Sequence, residues 1–338
     1  MSKLRVLLTG ASGAIGSEVA RILLEHQNQY ELTFFDLDKR SVRRKLNKYQ
    51  GLANLVYGDI RDRATLEIAC HNQDVVLHLA ALLPPTAYDK PQEAKATNAD
   101  GTKFLIECLE KESPGSFLIY TSSIAVYGDR LHDFWISVDD ELLAAPGDVY
   151  AETKIAAEKH LRESKLNWSI LRLTAIMGNH KPSRLMFYQP LATKMEIATI
   201  TDTAKALVSA IDAQDQLLSK TFNLGGGATC RVQYDEFIDK SFSVMGLGQA
   251  NFPEKAFADK NFHCGYYRDS GELENILHFQ SDSLDDYLQK EAKKISPLAK
   301  LFLPLVRGLV KRWLLTLSEP YRAWKARDME AMKKFYNF

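Results

Sequence analysis

Residues 4–16 read Leu4-Arg5-Val6-Leu7-Leu8-Thr9-Gly10-Ala11-Ser12-Gly13-Ala14-Ile15-Gly16. The run 4–9 is short and β-rich, and it breaks at the glycines. Behind them comes a helical pattern, with Val19, Ile22 and Leu23 on one side and Glu18, Arg21 and Glu25 on the other. A second strand, 32–36, ends in Asp36, 20 residues after Gly16. A helix N-terminus presents free N–H groups and the positive end of a dipole, which suits a pyrophosphate. A Cβ in the turn would keep the phosphate away, so glycines line it. From the second strand end, a carboxylate can accept hydrogen bonds from both adenosine ribose hydroxyls. The stretch therefore predicts a dinucleotide site built from Gly10, Ser12, Gly13, Ala14, Ile15, Gly16 and Asp36. Asp36 would repel a 2′-phosphate, so NAD is expected over NADP. Lys39, Arg40, Arg43 and Arg44 follow closely and are either a second anion site or one solvated helix face.

Further strands are expected at 54–57, 75–79, 117–121 and 168–173, alternating with helical patterns. That order predicts an α/β fold with a doubly wound, mostly parallel sheet of the Rossmann kind. The chain has 338 residues, 43 Lys/Arg and 43 Asp/Glu, so its formal charge is zero. Such a balance argues against bulk nucleic-acid binding. Cys70, Cys108, Cys230 and Cys264 form no C-x-x-C pair, and the eight histidines do not cluster, so neither disulfides nor a metal site is expected. The N-terminal apolar run ends at Thr9-Gly10 without a cleavage site, and no 18-residue apolar stretch exists. The protein is expected to be cytoplasmic.

Six ordered motifs resemble the extended short-chain dehydrogenase/reductase superfamily, the NAD-dependent epimerase/dehydratase kind. They are the T-G-x-x-G-x-x-G loop, Gly58-Asp59-Ile60-Arg61-Asp62, His78-Leu79-Ala80-Ala81, Asn98-Ala99-Asp100-Gly101-Thr102, Ser122-Ser123 running to Ala125-Val126-Tyr127-Gly128, and Tyr150-Ala151-Glu152-Thr153-Lys154. The match is strong over 1–178, weaker over 195–290, and absent beyond about 293. The resemblance implies that Asp59 and Ile60 lie at the adenine. It also places Leu79, Ala80, Ala81 and Asn98 along the cofactor. An NAD-binding domain over 1–178, with returning segments near 197–225, a mainly substrate-binding region over 179–295 and a helical tail over 296–338 are expected.

Moving a hydride to or from a carbinol carbon also requires moving a proton on its oxygen. Tyrosine titrates near 10 in water, too high for a good base at neutral pH. Tyr150 and Lys154 are i and i+4 and share a helix face. An ammonium there, with a cationic nicotinamide, would favour the phenolate. Lys154 would also hold the nicotinamide ribose, and Ser123 would donate to the substrate oxygen. Ser122 is the alternative if the register shifts by one. A second Y-x-x-x-K, Tyr321 to Lys325, has no cofactor loop or serine strand before it and is read as a solvated helix face.

The resemblance covers oxidoreductases, epimerases and dehydratases. Ile124 and Ala125 stand where hexose 4,6-dehydratases carry acids, which disfavours elimination of water. Ala175 stands where many 4-epimerases carry a sugar-contacting Asn, which weakens net epimerisation. Segments 181–196 and 129–147 are apolar and aromatic, so Trp135, Met186 and Tyr188 are candidate substrate contacts, or else core. Lys181, Arg184, Arg231 and Arg268 are the cations that could meet a diphosphate. The expectation is an NAD-dependent oxidoreductase acting on a small-molecule secondary alcohol or ketone. The alternatives are an epimerase and a cofactor-binding protein without turnover.

From Lys293 to Phe338 there are 11 Lys/Arg and 3 Asp/Glu, a net of +8 that leaves the body at −8. Apolar residues from Leu298 to Leu315, Leu301 among them, interleave with Lys300, Arg307, Lys311 and Arg312, and Pro304 is expected to break or kink the helix. Three uses fit this pattern: docking on the body, a homodimer contact, or peripheral membrane contact through 296–318.

Overall fold

In the computed structural model, residues 3–178 and 182–337 are described; Lys181 lies outside them, as does the side chain of Leu301. The strands are β1 (Leu4–Thr9), β2 (Tyr30–Asp36), β3 (Asn54–Tyr57), β4 (Val75–His78), β5 (Phe117–Ser123), β6 (Trp135–Ile136), β7 (Asn167–Leu173), β8 (Ala175–Met177), β9 (Lys194–Thr199), β10 (Lys220–Leu224), β11 (Arg231–Gln233) and β12 (Tyr266–Tyr267). Seven of them form one sheet in the order β10-β7-β5-β4-β1-β2-β3, and every pairing is parallel. This is the doubly wound fold expected from the sequence.

Helices cover both faces of that sheet, so its strands read as continuous apolar runs. Val6 and Leu8 face one core with helix Ala14–Glu25 and helix Ile200–Ser209. Leu7, Leu118, Tyr120 and Ile170 face the other, against helices Gly101–Glu112 and Val149–Arg162. Leu7 and Leu8 are fully buried, which stabilises the fold by roughly 1.5–3 kcal/mol per side chain. The strand order reverses between β1 and β4. Sheets of this kind hold ligands at that point, beyond the carboxyl ends of the strands.

A smaller lobe carries the sheet β11-β9-β8 and the pair β12-β6. Its core holds Phe187, Met195, Ile197, Phe242 and Phe257. The tail forms helices Pro297–Leu315, Glu319–Ala326 and Met329–Phe335. It is fastened to the lobe: Ser318 donates to the Ala256 carbonyl at 2.6 Å, and the Tyr336 hydroxyl to the Lys255 carbonyl at 2.6 Å. Of the break or kink expected at Pro304, the break is absent: the first tail helix runs through it. Pro304 and Lys300 are both exposed, so water can satisfy the carbonyl that the proline leaves without an N–H. The Tyr321–Lys325 pair lies on the second tail helix, with Tyr321 stacked on Trp324 and the Lys325 ammonium 5.6 Å from the Tyr321 ring.

Candidate active site

The glycine loop closes against β4. Gly10 has φ +75°, and a Cβ there would sit 2.9 Å from the Ala80 amide nitrogen. A Cβ on Gly16 would lie 2.1 Å from the Gly10 carbonyl oxygen. The helix Ala14–Glu25 starts behind Gly13, which offers no side chain to its first N–H groups. That helix end is therefore open to an anion. Asp36 is held at the loop, its carboxylate accepting the Ser12 N–H at 2.7 Å and the Leu37 N–H at 2.7 Å. Asp59 receives the Arg61 guanidinium at 2.8 and 2.6 Å, which holds its carboxyl below the usual range. Ile60 is buried against Gly101. Arg43 pairs with Asp38 across 2.6 Å and covers the Tyr57 ring, so one of the four cations behind Asp36 has a structural partner.

Buried polar groups fix these strand ends. Thr102 donates to the Asn98 carbonyl at 2.6 Å, so it accepts from Nε2 of His78 at 3.0 Å. Nδ1 of His78 then accepts the Thr9 hydroxyl at 2.7 Å, and Thr9 accepts the N–H groups of Leu79 and Ala80, each at 3.2 Å. This donor order requires a neutral imidazole protonated on Nε2. The segment Leu79–Ala81 is thus tied to β1. Asn98 has protein partners beside the site. Its amide accepts the Leu82 N–H at 2.7 Å and donates to the Leu82 carbonyl and the Thr153 hydroxyl, so it clamps the loop beside the site.

Helix Val149–Arg162 places Tyr150, Lys154 and Glu158 on one face against the end of β5. Asp148 caps it, accepting the Ala151 N–H at 3.0 Å. The Tyr150 phenol lies beside Ser123, whose hydroxyl favours its ionised form. The Lys154 ammonium donates to the Thr121 carbonyl at 2.7 Å and lies 4.7 Å from the Tyr120 ring. Glu158 accepts the Ser122 hydroxyl at 2.5 Å. Ser122 is therefore engaged away from the Tyr150 phenol, while Ser123 lies beside it.

Burial pushes the Tyr150 phenol well above its ordinary value; the neighbouring Ser123 hydroxyl opposes this and the Asp148 charge adds to it. The Lys154 ammonium, 5.9 Å from the Tyr150 ring, is itself desolvated, which brings it down to about 7 despite the Glu158 carboxylate.

The candidate substrate residues are held by other partners. The Tyr188 hydroxyl donates to Glu319 of the tail, and its ring packs on Phe335. Met186 packs against the core of the small lobe. Trp135 lies between the guanidinium groups of Arg231 and Arg268, at 4.9 and 5.3 Å. Arg231 binds Glu196 at 2.9 Å, and Arg184 is held by Asp89 and Glu319. An open cleft of about 580 Å³ lined by Lys194, Arg231, Asp235, Lys240 and Tyr266 contains none of Ser123, Tyr150 and Lys154.

Sequence reading missed three neighbours of Tyr150. Asp148 was readable as a helix-capping acid. Its other oxygen meets Nδ1 of His263 at 3.0 Å, and the Tyr88 phenol lies near it. Tyr88 and His263 come from distant segments, and no local signal marks them.

The family model described as the NAD dependent epimerase/dehydratase family matches residues 6–225. The chain is 32% identical over 197 residues to UDP-glucose 4-epimerase of Yersinia pestis, covering 55% of this chain and 56% of that protein. It is 29% identical over 200 residues to 3 beta-hydroxysteroid dehydrogenase type 7 of Mus musculus, covering 55% and 54%. The chain thus matches about half the length of these curated relatives. A solved UDP-glucose-4-epimerase from Stenotrophomonas maltophila with bound NAD and formylated UDP-arabinopyranose superposes with TM-score 0.70 at 22% identity, over 86% of this chain and 97% of that one. DesIV, a dTDP-glucose 4,6-dehydratase from Streptomyces venezuelae with NAD and TYD bound, gives 0.73 at 21%, over 86% and 96%. These two likenesses are of fold. With its glycine loop, strand-end acid and Ser–Tyr–Lys row inside the matched region, the chain belongs to the NAD-dependent epimerase/dehydratase family.

Proposed function

We propose that the protein is an oxidoreductase that converts a secondary alcohol and its ketone into one another, with Ser123, Tyr150 and Lys154 as its catalytic residues. One observation carries this reading: Tyr150 stands beside Ser123 at the end of β5, with Lys154 one turn along the same helix, buried and donating to Thr121. Tyr150 takes the hydroxyl proton during oxidation and returns it during reduction. Ser123 donates to the substrate oxygen and holds it beside the phenol. Lys154 is fixed by Thr121 and would hold the ribose hydroxyls of the cofactor.

The residues at these strand ends fit NAD. The loop Gly10–Gly16, with Ser12, Gly13, Ala14 and Ile15, would hold the pyrophosphate, Asp36 the adenosine ribose, Asp59 and Ile60 the adenine, and Leu79, Ala80 and Ala81 the length of the molecule. When bound, NAD supplies the hydride acceptor or donor and, in its oxidised form, a positive charge beside the phenol. Arg184 and Arg231 already have carboxylate partners, which supports a substrate less anionic than a sugar nucleotide.

The 32% match to a UDP-glucose 4-epimerase favours a second reading, net epimerisation with the cofactor retained. Stoichiometry separates the two. The full chain is incubated with NAD and a panel of secondary alcohols and nucleotide sugars, and absorbance at 340 nm is read beside product. One NADH per product is expected. Product without net NADH overturns the oxidoreductase in favour of the epimerase. No turnover of any substrate leaves a cofactor-binding protein and sinks both.

A further inference from the structure

The helix Pro297–Leu315 has two apolar faces, and the protein covers one. Leu303, Val310 and Leu314 pack into the small-lobe core, and the Lys311 ammonium donates to the Gln249 carbonyl at their edge. On the other face Leu298, Phe302, Leu305, Leu309 and Trp313 recur every three or four residues. They are 70%, 57%, 78%, 67% and 55% exposed. Docking on the body therefore accounts for the inner face only.

The charge on this segment is of one sign. From Ile295 to Ser318 there is no Asp or Glu, and the charged residues are Lys300, Arg307, Lys311 and Arg312. Among the described residues, Lys300, Arg307 and Arg312 have no ion-pair partner, although the rest of the chain is rich in such pairs. An apolar stripe this broad beside unpaired cations needs a partner that is apolar within and anionic at its rim. A second copy of the same helix is a poor match. A twofold contact is isologous and would set this acid-free segment against itself, cation facing cation.

We propose that the outer face of Pro297–Leu315 seats on an anionic lipid surface. The apolar side chains enter the boundary between headgroups and acyl chains, the cations meet lipid phosphates, and Trp313 lies at the interface level that tryptophan favours. The helix lies on the surface: among the described residues no helix is long and apolar enough to cross a membrane.

The test is co-sedimentation of the full chain with vesicles of phosphatidylcholine alone and of phosphatidylcholine mixed with phosphatidylglycerol. Binding to the anionic vesicles is expected to be at least about tenfold tighter and to weaken with added salt. The double variant Leu305→Glu, Leu309→Glu changes exposed side chains, so its melting temperature and NAD affinity should match the parent while vesicle binding is lost. Lys300→Gln with Arg307→Gln and Arg312→Gln should lose most of the preference for anionic lipid. Failure of the parent to bind anionic vesicles overturns the proposal, as does undiminished binding of the double glutamate variant. So does a parent dimer that the glutamate variant converts to monomer without any vesicle binding, which would make this face a contact between copies.

Discussion

Ser122 and Ser123 are adjacent at the end of β5, yet they meet two side chains set eight residues apart on one helix. Ser122 donates to Glu158 at 2.5 Å, and Ser123 lies beside the Tyr150 phenol. The two serines should therefore fail differently. Ser122→Ala removes one donor from a buried carboxylate and should cost about 1 kcal/mol of stability, with turnover little changed. Ser123→Ala should leave stability close to the parent and lower turnover about a hundredfold, as for loss of a donor to the reacting oxygen. Urea unfolding and steady-state rates on both variants check this. A Ser122→Ala variant that folds normally and turns over as slowly as Ser123→Ala would reverse the assignment.

Glu158 is the centre of a buried ion network. It takes Arg172 in two bonds, at 3.0 and 2.8 Å, and Arg162 at 2.9 Å. Arg172 continues to the Tyr127 hydroxyl at 2.7 Å, and Tyr127 donates to Asn223 of the edge strand β10. Removing the carboxylate leaves the Arg172 cation buried without its counter-ion. Glu158→Gln is expected to destabilise the protein by about 3–5 kcal/mol, read from the shift of the urea midpoint. The more conservative Arg162→Lys removes only a half-exposed arm of the network and should cost under about 1 kcal/mol.

The sheet was legible because a parallel strand buried on both faces has to be apolar throughout. Runs such as Arg5–Leu8 and Val75–Leu77 stand out, and the glycines after the first run mark its turn. Tyr150 and Lys154 were legible because the i, i+4 rule places both on one helix face. The same rule carries one step further to Glu158, but a buried glutamate reads like any surface glutamate until Arg172, far along the chain, is brought to it. Trp135, Met186 and Tyr188 show the converse. An aromatic, apolar segment looks the same whether it lines a pocket or packs a core, and Tyr188 finds its partner in the tail, 131 residues away.

His78 gives the fold a dependence on acid. Burial, with the Lys154 charge next, pulls the imidazole down to about 3 from an ordinary 6.5. Between those values the unfolded chain binds a proton that the native chain does not. Stability from this group is therefore complete above about pH 6.5 and is lost as pH falls towards 3. From pH 7 to pH 5 the loss should approach about 2 kcal/mol. His78→Gln does not titrate and should show a flatter profile by urea unfolding at the two pH values. Equal slopes in parent and variant would remove His78 as the cause.

The glycine loop makes a steric prediction. A methyl at residue 16 would lie 2.1 Å from the Gly10 carbonyl oxygen, a backbone atom with little room to move. Gly16→Ala should separate the loop from the helix start and weaken NAD binding at least about tenfold, measured by calorimetry. Gly115→Ala meets no atom within 4 Å and serves as the control, with unchanged affinity.

Tyr150 and Lys154 give the most direct test of the proposed chemistry. Tyr150→Phe keeps the ring and its packing and removes only the proton-transfer group. NAD affinity should stay close to the parent, and turnover should fall at least about a hundredfold. In the parent, alcohol oxidation needs the phenolate and should rise with pH, because burial holds the phenol well above its ordinary value. Ketone reduction needs the phenol and should fall as pH rises. Lys154 is positive only below about 7, so Lys154→Met should weaken cofactor binding most at acid pH and least above neutrality. Rates in both directions, measured from pH 6 to pH 10 with saturating cofactor, report Tyr150, and NAD affinity titrated over the same range reports Lys154. An oxidation rate that falls with pH across that range would show that Tyr150 is not the base.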